Sequence, residues 1–588
     1  MEPACLKTRA EKEPNSFRPE PFRRECAAIG GLLFMVALIW CAVWSMWTPQ
    51  DFKLPSAYLN PRESDVIGML ASFKAAAEGH YVPMFAKTVP ELGAPEGADW
   101  TSIPTIEEIP IYLTGVLARA VGIFAALNIT LLLGHLLAAC TFYVVARYMG
   151  CELAWAFLGG LAFGIAPFIF SESPHHSIVA YVWHIPLFLP IWKWVSSAQG
   201  ITPFSRRFWF AIAVAFITGL QNVYYTNIFC QLTLLGGLIL YLRGRCLPAL
   251  ASVFAIIASS AAAFSLMSVD TWVQKLAHPA LSSAIERAYK WLEIYALKPI
   301  DLLIPLPSHQ LEAFRTFAIN HAKDTILANE GSYLGLLGIA ALLWVFGTAF
   351  YTAFKGRANE IPRETWQILW VFAVFITGGL NAIVAAFGFT FFRAGYRMSI
   401  VILAIALLFA MQRASGIFAA NRRLGSLVAI ALTLLVIWDQ MPAAAPLAQR
   451  ELTVFQVESD REFTEAMESR LPEGAMVFQI PIMSFPEAPV PGITPYEHFR
   501  PYLFSKNLRF SFGATKGDIE RGWQAKLGGL GLEESLQLIK KQGFQAVYIN
   551  RKGFSDKAEG MIKAFNGLGV AEKIDSKNRD LICFILPK

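Results

Sequence analysis

The sequence predicts a polytopic α-helical membrane protein with about eleven transmembrane helices and a soluble α/β domain at its C-terminal end. Only 16% of the 588 residues are charged, against about 25% in ordinary soluble domains. The mean hydropathy is +0.45. Apolar runs of roughly 20 residues, long enough to cross about 30 Å of hydrocarbon, recur from Ala27 to Met441 and then stop. Lipid is therefore the expected surroundings of most of the chain.

The chain divides into three parts by composition. Residues 1–25 form a polar N-terminal segment, residues 26–441 the membrane module, and residues 442–588 a domain of higher charge density. The first apolar run, Ala27–Trp47, is long and no small-residue cleavage site follows it. We therefore expect it to remain as the first spanning helix rather than to be removed as a signal peptide.

Basic residues mark one side of the membrane, because Lys and Arg in short loops are retained in the cytoplasm. They occupy the N-terminal segment and recur in alternate loops: Arg147; Arg206 and Arg207; Arg243 and Arg245; Lys355, Arg357 and Arg363; and Arg413, Arg422 and Arg423. This pattern predicts a cytoplasmic N-terminus, and an odd number of spans then places residues 442–588 outside. An extra span at Ile109–Leu127 would reverse every later loop, so we predict an interfacial helix there.

Two outer loops are large, at residues 48–124 and 268–332. Loops of that length usually carry function or are disordered. Both contain tryptophan, tyrosine and proline, and the second includes the amphipathic patch Ala284–Leu297, which suits the bilayer interface. We expect both loops to be ordered.

The C-terminal domain alternates helical patterns with short apolar runs. The helical patterns are Arg461–Leu471 and Glu533–Gly543, and the predicted strands are Ala475–Ile480, Ala546–Ile549 and Leu581–Leu586. Its sequence contains no nucleotide-binding glycine loop and no nucleophile elbow. The domain is therefore expected to serve recognition or support.

Two classes of protein are disfavoured by composition. The net charge of +6 comes from short clusters of Lys and Arg rather than from one basic face, so no nucleic-acid partner is expected. The eight cysteines lack the paired spacing of a zinc site or a disulfide framework. Cysteine chemistry is not expected either.

Sparse residues in the outer loops carry a family resemblance. They are Asp65, Gly93-Ala94-Pro95, Trp100 and Pro104, then Ser173-Pro174-His175-His176, Glu330 to Gly335, and Arg393 to Arg397. This layout resembles the GT-C superfamily of membrane glycosyltransferases, and most closely a set of large bacterial membrane proteins with a C-terminal periplasmic domain. The resemblance covers nearly the whole chain, through layout and scattered residues rather than one long motif.

The resemblance implies a GT-C-like fold and an inverting glycosyltransferase of the bacterial inner membrane. Its donor would be a sugar linked to polyprenyl phosphate, its acceptor a lipid or a cell-envelope glycan such as lipopolysaccharide, and its chemistry periplasmic. Membrane lipids would surround it. Two other functions remain open, a flippase for lipid-linked sugars and a non-catalytic subunit of envelope polysaccharide assembly.

The resemblance also implies that Asp65 is the catalytic residue. A carboxylate can take the proton of an acceptor hydroxyl, and such general-base help is typically worth roughly 10²- to 10⁴-fold. The alternative role for Asp65 is a helix N-cap, since a helical stretch follows it. Alternative carboxylates of the first outer loop are Glu63, Asp51, Asp99, Glu107 and Glu108.

Arg393 and Arg397 lie in a short outer loop, where positive charge is disfavoured. At one helical turn apart they could share a face and hold one phosphate, with Tyr396 beside them. The alternative is that they reach lipid headgroups or pair with an outer-loop acid.

The other candidate substrate-binding residues are His175, His176, Glu63, Glu108 and Glu330. A histidine at the outer end of the third span could bond a phosphate or a sugar hydroxyl, although interfacial packing is the alternative. No metal ligands are assigned and no cofactor is required. Two carboxylates could share a divalent metal, but nothing in their spacing demands one.

Five further polar residues are assigned other roles. His135 and His184 fall inside apolar runs, where hydrogen bonding between helices is the expected role. Tyr496, His498 and Arg500 form a polar cluster in a proline-bearing loop and could contact an acceptor.

Overall fold

The structure, a computed structural model, describes residues 21–59, 65–101, 103, 107–197, 200–242, 247–277, 288–325, 331–486, 490–570 and 572–587. The candidates Glu63 and Glu330, together with Pro104, lie outside these residues, as does part of the patch Ala284–Leu297.

The N-terminal three quarters of the described chain is helical. Its α-helices are α1 (Phe22–Trp44), α2 (Val66–Glu78), α3 (Glu108–Val121), α4 (Ile123–Tyr148), α5 (Leu153–Gly164), α6 (Pro167–Glu172), α7 (Phe188–Val195), α8 (Arg206–Gly219), α9 (Val223–Leu242), α10 (Leu247–Met267), α11 (Val269–Ala277), α12 (Lys290–Ile294), α13 (Glu312–Asp324), α14 (Gly335–Phe354), α15 (Arg363–Phe375), α16 (Leu380–Ala386), α17 (Ser399–Ile417) and α18 (Arg422–Gln440). The 3-10 turns used below are Ile185–Leu187, Gly395–Met398 and Glu497–Phe499.

Among the described residues, eight helical segments are long and apolar enough to cross a membrane. They are α1, α4, α5 continued by α6, α9, α10, α14, α17 with its preceding turn, and α18. This count supports a multi-pass membrane protein. The prediction of about eleven spans also needs the shorter helices α7, α8 and α15, and it stays a prediction.

The segment Ile109–Leu127, predicted as an interfacial helix, largely forms the separate helix α3. Gly122, at a φ of +85°, separates α3 from α4, so the long helix begins at Ile123, within the segment Ile109–Leu127 that was predicted to be interfacial. Helix α3 packs closely on α2, since a Cβ at Gly115 would lie only 2.3 Å from the Cβ of Ala76. The first outer loop is therefore built around a pair of packed helices.

The C-terminal domain contains a five-stranded sheet in the described residues, in the order β4-β3-β5-β7-β6. Its elements are α19 (Leu447–Glu468), β3 (Met476–Ile480), α20 (Arg500–Phe504), β4 (Arg509–Phe510), α21 (Lys516–Arg521), α22 (Leu532–Lys541), β5 (Phe544–Asn550), α23 (Glu559–Gly567), β6 (Lys573–Asp575) and β7 (Leu581–Ile585). Strands β4, β3 and β5 are parallel, and β7 is antiparallel to β5 and β6. The three predicted strands are confirmed as β3, β5 and β7, whereas the short β4 and β6 were missed.

The first outer loop docks on the edge of this sheet. It contains the small antiparallel pair β1 (Thr88–Val89) and β2 (Ala98–Asp99). Ala94 N donates to Phe510 O (2.9 Å), and Phe510 N donates to Glu91 O (2.7 Å), which extends the sheet beyond β4. Trp100 Nε1 donates to Gly513 O at 3.1 Å. The Gly-Ala-Pro and Trp motif thus joins the loop to the domain.

The polar cluster of the C-terminal domain is an internal support rather than an acceptor contact. Arg500 is fully buried and donates from Nε and Nη2 to the carboxylate of Asp460, at 2.7 and 2.5 Å. Tyr58 of the first outer loop donates to the same carboxylate at 2.7 Å. His498 is also fully buried and lies 2.8 Å from Pro481 O. Expecting His498 and Arg500 to face a substrate was therefore wrong.

The two intramembrane histidines differ in setting. His135 of α4 joins α5 through a 2.7 Å contact between its Nδ1 and Gly164 O, as expected of a polar group between helices. His184 lies just before the turn Ile185–Leu187 rather than within a helix, 3.3 Å from Thr218 Oγ1. Both rings are fully buried.

Candidate functional site

Asp65, His176 and Glu172 form a carboxylate–histidine row at one end of the helices. Asp65 precedes α2, Glu172 ends α6, and His176 follows α6 by four residues. His176 Nε2 lies 3.1 Å from Asp65 Oδ2, and its Nδ1 lies 2.9 Å from Glu172 Oε2. The row therefore joins the first outer loop to the end of the third long helical segment.

The two neighbouring histidines are held in different charge states. Burial lowers the pKa of His176, but its hydrogen bonds with Asp65 and Glu172 more than offset this and raise the pKa to about 10. Burial and the charge of His176 lower the pKa of His175 to about 4. At neutral pH His176 is thus an imidazolium that donates to two carboxylates, and His175 is a neutral imidazole.

Glu172, His175 and His176 also form a group that could hold a metal ion. One ligand atom from each lies within 4.8 Å of the others. The Nδ1 of His175 is buried and has no hydrogen-bond partner in the described part of the chain, which suits a ligand nitrogen. A carboxylate with two imidazoles is a donor set typical of zinc and related divalent metals.

A second group with this ligand spacing, Glu78, His80 and Glu91, lies at the end of α2. Glu78 is already bonded there to Lys74 and Tyr502.

Arg397 lies beside the row, in the turn Gly395–Met398. Its guanidinium stands 4.8 Å from the centre of the Tyr224 ring. It is also near enough for its charge to act on Glu172, His175 and Glu107. Tyr396 is buried, with its hydroxyl 3.5 Å from Arg397 Nε. Arg397 is thus the arginine that the structure brings to the row.

Arg393 faces a different set of side chains. It lies in non-helical backbone before the turn, and its guanidinium stands 5.6 Å from the ring of Tyr295 and 6.0 Å from that of Trp291. Because the backbone from Arg393 to Arg397 is not an α-helix, the two arginines do not share a helical face. The prediction of a shared face was wrong.

Glu108 has a different role from the predicted one. Its side chain is only 1% exposed, and it pairs with the ammonium of Lys87 at 2.8 Å. Lys87 also pairs with Asp270 at the start of α11. Burial raises the pKa of Glu108, and the charge of Lys87 opposes that rise. Glu108 therefore anchors the first outer loop to α11, and is closed to a substrate.

Two of the alternative carboxylates, Asp51 and Asp99, are also bonded to residues outside the row. Asp51 accepts from Thr48 and pairs with Arg450. Asp99 accepts from Gln274 Nε2 at 2.6 Å. Both therefore fix loop structure and are not brought to the row.

Within the described residues, Glu107 is a second acid of the first outer loop that lies near the row, after Asp65. Its Oε1 accepts from Asn222 Nδ2 at 2.5 Å, and the charges of Arg397 and His176 act on it. Sequence reasoning named Glu107 only as an alternative and missed both Asn222 and Glu172. A signal existed for Glu172, since an acid at the end of an apolar run often marks a functional interior.

The fold and the site together define a polytopic α-helical membrane protein with a charged site at one end of its helices, under a docked α/β domain. The chain matches no family model and no curated protein. Solved structures that resemble it in layout include two of an archaeal oligosaccharyltransferase. One is the archaeal oligosaccharyltransferase AglB from Archaeoglobus fulgidus in complex with an inhibitory peptide and a dolichol-phosphate, with 12% identity, a TM-score of 0.42, and coverage of 90% of this chain and 70% of that one.

The other is the Archaeoglobus fulgidus oligosaccharyltransferase in complex with Zn and sulfate. It has 13% identity and a TM-score of 0.39, and the match covers 88% of this chain and 68% of that one. Likeness at this level identifies neither a substrate nor a reaction.

Proposed function

We propose that this chain is an inverting membrane glycosyltransferase. It transfers a sugar from a polyprenyl-phosphate-linked donor to a lipid or cell-envelope glycan acceptor, at the periplasmic face of a bacterial inner membrane. The observation that supports the proposal is the row of Asp65, His176 and Glu172 with Arg397 beside it. Such a transfer needs a carboxylate that accepts a proton and cations that bind a phosphate.

The reaction assigns one role to each side chain. The acceptor hydroxyl gives its proton to Asp65 as its oxygen bonds to the anomeric carbon of the donor sugar. The bond from that carbon to the phosphate oxygen breaks, and the electron pair leaves with the phosphate. Arg397 and the His176 imidazolium stabilise the charge of that leaving group. A single displacement of this kind inverts the anomeric configuration.

Asp65 is suited to its role by exposure. Its side chain is 37% exposed, whereas that of Glu172 is 1% exposed. Asp65 can therefore meet a substrate, and Glu172 holds His176 from behind. Glu172, His175 and His176 would hold a divalent cation only with His176 deprotonated, and the cation would then replace the imidazolium as the charge that stabilises the departing phosphate.

The test is transfer by the purified protein with defined polyprenyl-phosphate sugars, comparing the native chain with Asp65→Asn. We expect Asp65→Asn to lose at least about 100-fold in transfer rate, as removal of a general base does. Asp99→Asn is the matched control, because Asp99 is a first-loop acid bonded to Gln274, and it should keep the native rate. Equal transfer by the native and Asp65→Asn proteins would remove Asp65 as base.

Two other outcomes would favour the alternative functions. Absence of transfer with every donor, together with movement of lipid-linked sugar across vesicles, would favour a flippase. Normal envelope glycan in cells that carry only Asp65→Asn would favour a non-catalytic assembly subunit.

A further inference from the structure

Three separate parts of the chain meet beside the carboxylate–histidine row. Glu107 immediately precedes α3, Asn222 lies in the short connection between α8 and α9, and Arg397 precedes α17. Asn222 Nδ2 donates to Glu107 Oε1 at 2.5 Å. The Arg397 guanidinium stands 4.8 Å from the ring of Tyr224, two residues after Asn222, so Glu107 and Arg397 lie in the same region of the fold.

The orientation of Asn222 is fixed by its other contact. Its Oδ1 accepts from Tyr224 N at 3.0 Å, so its amide nitrogen must face Glu107. The Tyr224 hydroxyl donates to Phe391 O and accepts from Ala394 N, both at 3.2 Å. Because Arg397 stacks on the same Tyr224 ring, both neighbours of Glu107 are held by one fixed tyrosine.

This arrangement leaves polar groups unused. Within the described residues, Glu107 Oε2 accepts no hydrogen bond, and neither terminal nitrogen of Arg397 donates one. Gln221, beside Asn222, is only 8% exposed, and its Oε1 has no hydrogen-bond partner in the same described part of the chain. Buried polar groups are usually paired, so the buried Gln221 Oε1 points to a polar ligand. Glu107 and Arg397 are half-buried, and their unused atoms can therefore be reached by the same ligand.

The chemistry of the group favours hydroxyls over phosphate. A sugar hydroxyl both donates and accepts, so it can donate to a carboxylate while it accepts from a guanidinium. A phosphate only accepts at neutral pH and would be repelled by the Glu107 carboxylate. Burial raises the pKa of Glu107, and Arg397 and Asn222 oppose that rise.

We propose that Glu107, oriented by Asn222 and balanced in charge by Arg397, binds hydroxyl groups of the donor's sugar. This subsite rests on the proposed function, because it places the sugar between Glu107 and the phosphate-binding cations near Asp65. Glu107 is then a substrate-binding residue that contributes to sugar specificity, and Asn222 is a positioning residue that acts through it.

The experiment measures binding to the purified full-length protein. The probes are a short-chain polyprenyl phosphate without sugar and the same lipid phosphate carrying glucose, galactose, mannose or N-acetylglucosamine. We expect the native protein to bind at least one sugar-bearing probe more tightly than the bare lipid phosphate. Glu107→Gln should lower that preference about 10- to 100-fold, as loss of hydrogen bonds to a charged group does. Its affinity for the bare lipid phosphate should not fall, because the substitution removes a negative charge and leaves the cations in place.

Two variants complete the comparison. Glu312→Gln changes an exposed outer-loop acid of α13 and should keep the full preference. Asn222→Ala should lower the preference less than Glu107→Gln, because the carboxylate remains. Affinity for the bare lipid phosphate that is equal to or higher than that of the native protein shows that each variant is folded.

The outcomes separate this subsite from the enzyme proposal. Full sugar preference in Glu107→Gln, or no preference in the native protein, would overturn the subsite whatever Asp65→Asn does in the transfer assay. A preference that Glu107→Gln abolishes, in a protein that transfers no sugar, would support the subsite and remove the enzyme.

Discussion

Asp65 occupies the N-cap position of α2 without capping it. Its side chain makes no hydrogen bond to the first turn, and it reaches His176 instead. An N-cap bond typically stabilises a protein by about 1 kcal/mol, so this position forgoes that contribution. Asp65 therefore does not act as an N-cap through its side chain, and its carboxylate is directed towards His176.

The two arginines should differ in their effect on donor binding. Arg397→Ala removes the guanidinium beside the carboxylate–histidine row, so we expect affinity for a polyprenyl phosphate to fall at least about tenfold, as loss of a charge-assisted contact does. Arg393→Ala should also weaken binding, but by less, because Arg393 lies against Trp291 and Tyr295. Titration of each purified variant with the lipid phosphate measures both effects. If Arg393→Ala loses as much affinity as Arg397→Ala or more, the phosphate binds on the Trp291 side instead. If the affinity of Arg393→Ala is unchanged, Arg393 has no part in donor binding.

Helix α11 has two faces with different partners. Its polar face holds the first outer loop, because Asp270 pairs with Lys87 and Gln274 bonds to Asp99. On its other face, Trp272 and Leu276 are 47% and 82% exposed. Since α11 directly follows the long apolar α10, these apolar side chains suit the membrane interface. The helix thus links the loop that bears Asp65 to the membrane module.

Removing the charge of Lys87 should destabilise this link strongly. Lys87→Met leaves Glu108 and Asp270 buried without their cation, and breaking a buried ion pair typically costs about 3–5 kcal/mol. Thermal unfolding of the purified protein in detergent measures the change. The control is Lys577→Met, where loss of the exposed pair with Glu462 should cost about 0–1 kcal/mol. Similar unfolding temperatures for the two variants would show that the buried group is not a support.

Across the whole molecule, the site residues come together at one end of the helices. The ends of α1 and α6, the α8–α9 connection and the starts of α4 and α17 all lie on the side of the first outer loop and the C-terminal domain. Eight spans alone would return the chain to the side where it started. An odd number of further crossings, from the shorter helices α7, α8 and α15, is therefore needed if the N-terminus and residues 442–588 lie on opposite sides, and the predicted eleven spans use all three.

Labelling of introduced cysteines tests this orientation in intact cells. In a variant whose native cysteines are replaced by serine, Lys577→Cys in the C-terminal domain should react with a membrane-impermeant maleimide, and Lys355→Cys should react only after lysis. Both lysines are exposed, so access within the fold is matched. Labelling of Lys355→Cys from outside would reverse the predicted orientation.

Only part of the site followed from sequence. Asp65 and the two histidines could be named because they are polar residues beside apolar runs and match a family layout. The chemical partners could not, since His176 is 111 residues from Asp65 in sequence and Asn222 is 115 residues from Glu107. The prediction that Arg393 and Arg397 share a face was wrong because it assumed a helical spacing between them. Between the two arginines, the end of α15 packs closely against Gly395, where a Cβ would lie 2.7 Å from Phe375 O. The backbone at this contact is not α-helical.

The sequence by itself determined the membrane class, the first long helix and the three main strands of the C-terminal domain. Each depends on local apolarity, run length or alternation, which neighbouring residues set among themselves. Only the tertiary structure decided that Glu108 is an anchor, that Arg500 is a buried support, and that Glu107 faces Asn222. Those roles depend on which distant segments pack together, and that packing fixes the partner of each charge.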